Sequence, residues 1–167
     1  MSSFRGCSSR PAVRIMAPDT STYDSSSGEG YSMKALRTLV VEDDAILGEL
    51  LAKTLEGLGH AVCAVETNVA KAVTAASHWR PDLMIVDAGL GEANGLLAVK
   101  EILRSRFVPH VFVTGNALRG MPSGPDTVLI QKPFRVTDLE RAIQRALAMA
   151  AASDRVAVKR EEDRVLT

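Results

Sequence analysis

A chain of 167 residues has room for one domain of ordinary size plus tails, and a second domain would leave both cores small. Twenty Lys and Arg balance twenty Asp and Glu with no basic stripe, which argues against nucleic-acid binding, and 46% hydrophobic with only 4% aromatic residues calls for a core of Ala, Val, Leu and Ile. The longest apolar run, Ala146 to Ala152, is far shorter than the roughly 20 residues of a membrane span; Cys7 and Cys63 lie in contexts too different for a bridge, which fits a reducing, cytoplasmic compartment.

Residues 1–32 hold nine Ser together with Gly, Pro and Asp and follow no apolar period, so a disordered extension is expected there. Arg5, Arg10 and Arg14 have no apolar block behind them and do not read as a secretory signal. The patterned part starts at Met33, where translation could begin, and residues 34–152 read as one α/β domain. Its first strand, Leu36 to Val41, ends in Glu42, Asp43 and Asp44. A helix follows with Leu47, Leu51, Leu55 and Leu58 on one face, and Gly59 is placed to stop it. Ala61 to Val65 is the second strand, and Asn68 caps a helix that runs to Trp79 before Arg80-Pro81 breaks it.

Leu83 to Val86 is a short buried run that delivers Asp87 at its end, and a third helix follows Gly95. Val111 to Val113 leads to Thr114, and Val128 to Ile130 leads to Lys132. Between these strands, Gly115, Gly120, Pro122, Gly124 and Pro125 disfavour a full helix, so the fourth βα unit is expected to be irregular. Thr137 and Glu140 have the spacing of a capping box for a last helix to about Ala152, and residues 153–167 read as a mobile tail with no room for an output domain.

Functional groups of a parallel sheet collect outside the carboxyl ends of its strands, and Glu42, Asp43, Asp87, Thr114 and Lys132 all stand at such ends. If the first and third strands are neighbours, their acids converge and repel by about 4 kcal/mol at about 4 Å in an effective dielectric of about 20, which calls for a cation. Mg²⁺ suits carboxylate oxygens, while the absence of accompanying His or Cys makes zinc a poor fit. With that charge neutralised, Asp87 is placed to act as a nucleophile toward phosphorus, Lys132 to pair with phosphoryl oxygens, and the Thr114 hydroxyl to hydrogen-bond another of them. Each residue alone has an ordinary reading as a helix cap, a turn residue or a solvated lysine. The joint pattern is what overturns those readings.

These residues resemble the receiver domains of two-component response regulators over about residues 36–150. The resemblance rests on Val40-Val41-Glu42-Asp43-Asp44, on Ile85-Val86-Asp87 with Gly95 eight residues on, on Thr114, and on Lys132-Pro133-Phe134. It implies a doubly wound, flavodoxin-like sheet of five parallel strands in the order 2-1-3-4-5 and a cis peptide before Pro133. It further implies that Glu42, Asp43, Asp87 and the Gly89 carbonyl hold Mg²⁺ while Asp87 accepts the phosphoryl group. The partners implied are a sensor histidine kinase or histidine phosphotransfer protein and a downstream protein that the sequence does not name.

Gly91 stands where the family usually has proline, and Leu129 where it usually has a switching aromatic. With Phe112-Val113-Thr114-Gly115 closing the fourth strand, the chain resembles a divergent, single-domain branch of that family. Two other functions compete. A metal-dependent phosphatase-like enzyme would use the same acids, but the Asp-x-Asp it wants is missing after Asp87; a degenerate, unphosphorylated scaffold would fit the missing aromatic at Leu129.

Overall fold

The computed structural model describes residues 35–90, 94–115 and 127–165. The extension 1–32, the loop position Gly91 and nearly all of the irregular fourth βα unit lie outside the described residues. Within them the chain runs β1 (Arg37–Val41), α1 (Ala45–Gly57), β2 (Ala61–Glu66), α2 (Val69–Trp79), β3 (Leu83–Asp87), α3 (Gly95–Ser105), β4 (His110–Thr114), β5 (Val128–Gln131) and α4 (Val136–Val165). The strands pair in parallel in the order β2-β1-β3-β4-β5, as expected for a doubly wound sheet.

Each strand is apolar on both sides because both sides are covered. Leu39, Val41, Met84, Val86 and Phe112 face α2 and α3, where Ala72, Ala76, Ala98 and Ile102 bring the helix axes close. Val40, Ile85, Val111 and Val113 face α1 and α4 and meet Leu51, Leu55, Leu139 and Ile143. The dearth of aromatics is thus compensated by small residues that let helices lie low on the sheet. Leu129 is only partly buried, against the α2–α3 side.

Local signals account for most of the helix ends. The Asp44 carboxylate accepts from the Ile46 and Leu47 N–H groups, and Asn68 and Asn94 cap α2 and α3 in the same way. Gly59 takes a left-handed φ of 85° just after α1, and Arg80 one of 49° ahead of Pro81. Arg37 pins that second turn, donating to the carbonyl oxygens of Trp79 and Arg80 and to both Asp82 oxygens. Burial pushes the Asp82 carboxyl up, but the Arg37 hydrogen bonds and charge outweigh it and hold the group below its ordinary value.

Two expectations about α4 need correction. Its start is set by Arg135 and Asp138 rather than by Thr137 and Glu140: an Asp138 oxygen accepts from the Arg135 N–H at 3.0 Å, and the Asp138 N–H returns to the Arg135 carbonyl at 3.0 Å. The helix also continues past Ala152 to Val165, because residues 153–165 hold Ala, Arg, Lys and Glu with neither Gly nor Pro to end it. No helix among the described residues is long and apolar enough to cross a membrane.

His60, between α1 and β2, is buried; its Nδ1 accepts from the Leu36 N–H at 3.4 Å and its Nε2 has no hydrogen-bond partner. Burial pulls its pKa down, and the Glu140 charge only partly opposes this. A histidine with a lowered folded pKa binds its proton more readily when unfolded, so its share of stability is present above about pH 6.5 and is lost as pH falls below that value. The urea midpoint is therefore expected to drop from about pH 7.5 to about pH 5.5, and to drop less in His60→Asn. Equal slopes for both proteins would rule out His60 as the source.

Candidate functional site

The carboxyl ends of β1, β3, β4 and β5 meet at one rim of the sheet. Beyond Val41 the Glu42 N–H donates to the Glu66 carbonyl at 2.9 Å, carrying the β1–β2 ladder one step past the strand. That bond holds Glu42 at the mouth of the sheet with its side chain almost wholly buried, while Asp43 points to solvent. Asp87 closes β3 beside them. Glu42, Asp43 and Asp87 each offer a carboxylate oxygen, all within 4.8 Å of one another.

Lys132 comes from the opposite side, after β5. Its backbone N–H donates to the Thr114 carbonyl at 2.7 Å, extending the β4–β5 ladder by one step, and the peptide that follows, before Pro133, is cis as the resemblance implied. The Lys132 Nζ then reaches the Glu42 Oε2 at 2.8 Å and the Asp87 Oδ2 at 2.9 Å. The other Asp87 oxygen, Oδ1, accepts from the Gly89 N–H at 2.9 Å. Gly89 therefore meets Asp87 through its N–H. Thr114 is buried at the end of β4, paired in register with Gln131.

The electrostatics follow from this packing. Burial raises the Glu42 pKa, the Lys132 hydrogen bond and charge pull it back, and the nearby Asp87 adds to the rise. Burial works against the Lys132 ammonium, but hydrogen bonds and charge from Glu42 and Asp87 outweigh it and lift the pKa above its ordinary value. The lysine stays charged. One ammonium against three clustered acids leaves an excess of negative charge that a divalent cation would offset. Every side-chain donor in the cluster is a carboxylate oxygen, a set that fits Mg²⁺ rather than a softer ion.

All the residues expected at the site from the sequence thus gather at this rim, Glu42, Asp43, Asp87 and Lys132 through their side chains. Two further features shape the site. Asp44, adjacent to the acids of the cluster, is spent on capping α1. Gly95 starts α3 so close to the strand that a Cβ there would collide with the Asp87 carbonyl oxygen. The spacing of Gly95 from Asp87 marked the position; the contact behind it is tertiary.

The family profile of the response regulator receiver domain matches residues 38–144. The DNA-binding response regulator MtrA of Mycolicibacterium paratuberculosis is 34% identical over 116 residues, which cover 66% of this chain and 51% of that protein. Among solved structures, the response regulator PhyR from Brucella abortus aligns with a TM-score of 0.65 and 27% identity over 74% of this chain and 52% of that one. The anti-anti-sigma factor PhyR from Bartonella quintana gives 0.66 and 26% over 75% and 52%. The chain spans about half the length of these relatives. With a sheet in receiver order and acids and lysine converging at its rim, the chain belongs to the response regulator receiver domain family.

Proposed function

We propose that this protein is a cytoplasmic receiver that takes a phosphoryl group onto Asp87 in a Mg²⁺-dependent His-to-Asp relay and signals through contacts that depend on that modification. The observation that carries this reading is the Lys132 Nζ held between Glu42 and Asp87 at 2.8 and 2.9 Å. A carboxylate pinned by an ammonium beside two further acids is arranged for phosphoryl transfer by positioning and charge, with no general base needed.

A carboxylate oxygen of Asp87 forms the new bond to phosphorus as the donor's P–N bond breaks, and the histidine imidazole leaves with the bonding pair. Glu42, Asp43 and Asp87 would hold the Mg²⁺, with the Gly89 carbonyl as a further ligand. Bound there, the ion neutralises charge on the transferring phosphoryl oxygens. Lys132 needs no long excursion to pair with one of those oxygens, since it already contacts Asp87. The Thr114 hydroxyl takes another and ties the modification to the end of β4. The added charge, about −1.5 to −2, is enough to bias neighbouring loops between two arrangements. The protein is a phosphoacceptor in this scheme and not a turnover enzyme.

Support for a protein donor, a sensor kinase or histidine phosphotransfer protein, comes from the surface beside Lys132. Ile46, Leu50 and Val136 are at least half exposed, and a groove of about 620 Å³ runs between Leu47, Leu51, Thr54 and Phe134 to Lys132 itself. Exposed apolar side chains in such density mark a contact surface. Whatever docks there has one end at Lys132, whose Nζ contacts Asp87. The downstream partner is a protein that contacts the modified surface.

Acetyl phosphate with Mg²⁺ is expected to add one phosphoryl group to the intact protein, seen by mass spectrometry, and Asp87→Asn is expected to abolish the adduct. An adduct that persists unchanged in Asp87→Asn would refute the assignment.

A further inference from the structure

We infer that Gly48 is a positioning residue for the acid cluster, lacking a side chain so that the first turn of α1 can close over Glu42. This rests on the reading of the cluster as a divalent-cation and phosphoacceptor site.

Gly48 lies inside α1, where glycine is a poorer choice than alanine, and it is buried. Its N–H donates to the Asp44 carbonyl at 2.9 Å, so it belongs to the turn that Asp44 caps. A Cβ built on it would stand 2.8 Å from the Val65 Cγ1 and 3.6 and 3.8 Å from the Glu42 Cβ and Cγ. Gly57, in the same helix, would meet nothing within 4 Å. The two glycines therefore differ: only Gly48 sits where α1 touches the ends of β1 and β2.

Val65 is stiff at χ1, partly buried, and paired in register with Val40 one step before the Glu42–Glu66 backbone bond. A methyl group at position 48 must push the Val65 branch aside or lift the first turn of α1. Lifting that turn moves Asp44 and with it Asp43, and opens Glu42 to water. Gly48 acts through Val65 and Glu42 and touches no reacting atom.

The test compares full-length wild type, Gly48→Ala, Val65→Ala and the double variant. Mg²⁺ affinity is read by calorimetry, the Mg²⁺ dependence of Asp87 modification by acetyl phosphate is followed by mass spectrometry, and Tm is measured alongside. Gly48→Ala is expected to weaken Mg²⁺ binding about tenfold, as loss of a group supporting metal ligands does. The Mg²⁺ concentration for half-maximal modification should rise to match, the maximal rate should change little, and the variant should remain folded at the assay temperature. Removing the Val65 branch relieves the clash, so the double variant should recover most of the affinity, while Val65→Ala alone binds like wild type.

Wild-type affinity in Gly48→Ala, an unrescued double variant, or a loss that disappears when the assay is run well below the variant's Tm would each overturn the inference while leaving the phosphoacceptor reading intact. Wild type that neither binds Mg²⁺ nor forms the Asp87 adduct would end that reading, and this inference with it.

Discussion

Lys132→Met is expected to slow phosphorylation of Asp87 by roughly 100-fold or more, the usual cost of removing one preorganised charge partner from a transition state. The lysine stands 2.9 Å from the Asp87 carboxylate, so in the proposed transfer no reorganisation is needed when charge develops on the phosphoryl oxygens. Mg²⁺ binding should move the other way. The ammonium competes with a metal for Glu42 and Asp87, and without it the acid cluster becomes a stronger cation site. Stopped-flow phosphorylation and Mg²⁺ titration on the same preparation separate the two effects. Slowing that merely tracked weaker Mg²⁺ binding would mean that Lys132 serves the fold and not the transfer.

Gly95→Ala is expected to destabilise the protein by about 3 kcal/mol, at the upper end of what overpacking costs. The methyl group would collide with the Asp87 carbonyl oxygen and lie 3.1 Å from the Val86 Cγ1. The first neighbour is backbone of the strand that presents the acceptor, so no rotamer change relieves the clash. Either α3 moves outward or the end of β3 tilts, and in both cases Asp87 leaves its place between the Lys132 Nζ and the Gly89 N–H. A lower urea midpoint together with slow phosphorylation, measured where the variant is still folded, is the expected pair of results. An unchanged midpoint would show that α3 gives way cheaply.

Both predictions concern residues that stand out in the sequence, and the reason is the parallel sheet. Strands buried on both faces read as short unbroken runs such as Leu83–Val86, and a polar residue at the end of such a run is conspicuous. Glu42, Asp87 and Lys132 were legible on that ground. The division of labour within Glu42-Asp43-Asp44 was not, because three adjacent acids look alike until the first turn of α1 selects Asp44 as its cap.

Other features were hidden for different reasons. Thr137 and Glu140 have the spacing of a capping box, but the first turn is closed instead by the reciprocal bonds of Arg135 and Asp138, a pair with the same three-residue spacing. The extension of α4 past Ala152 follows from local propensity in a segment whose charge suggested a tail. The contacts of Gly48 and Gly95 lie between elements, so no local pattern announces them.

The rim of β1 and β3 is expected to hold a divalent ion. Crystals grown with Mn²⁺, which takes similar oxygen ligands and scatters anomalously, provide the direct measurement. The expected result is a single strong anomalous peak bounded by the carboxylates of Glu42, Asp43 and Asp87, weakened or lost in Asp43→Ala. A peak elsewhere on the protein, or none at this rim at saturating Mn²⁺, would contradict it.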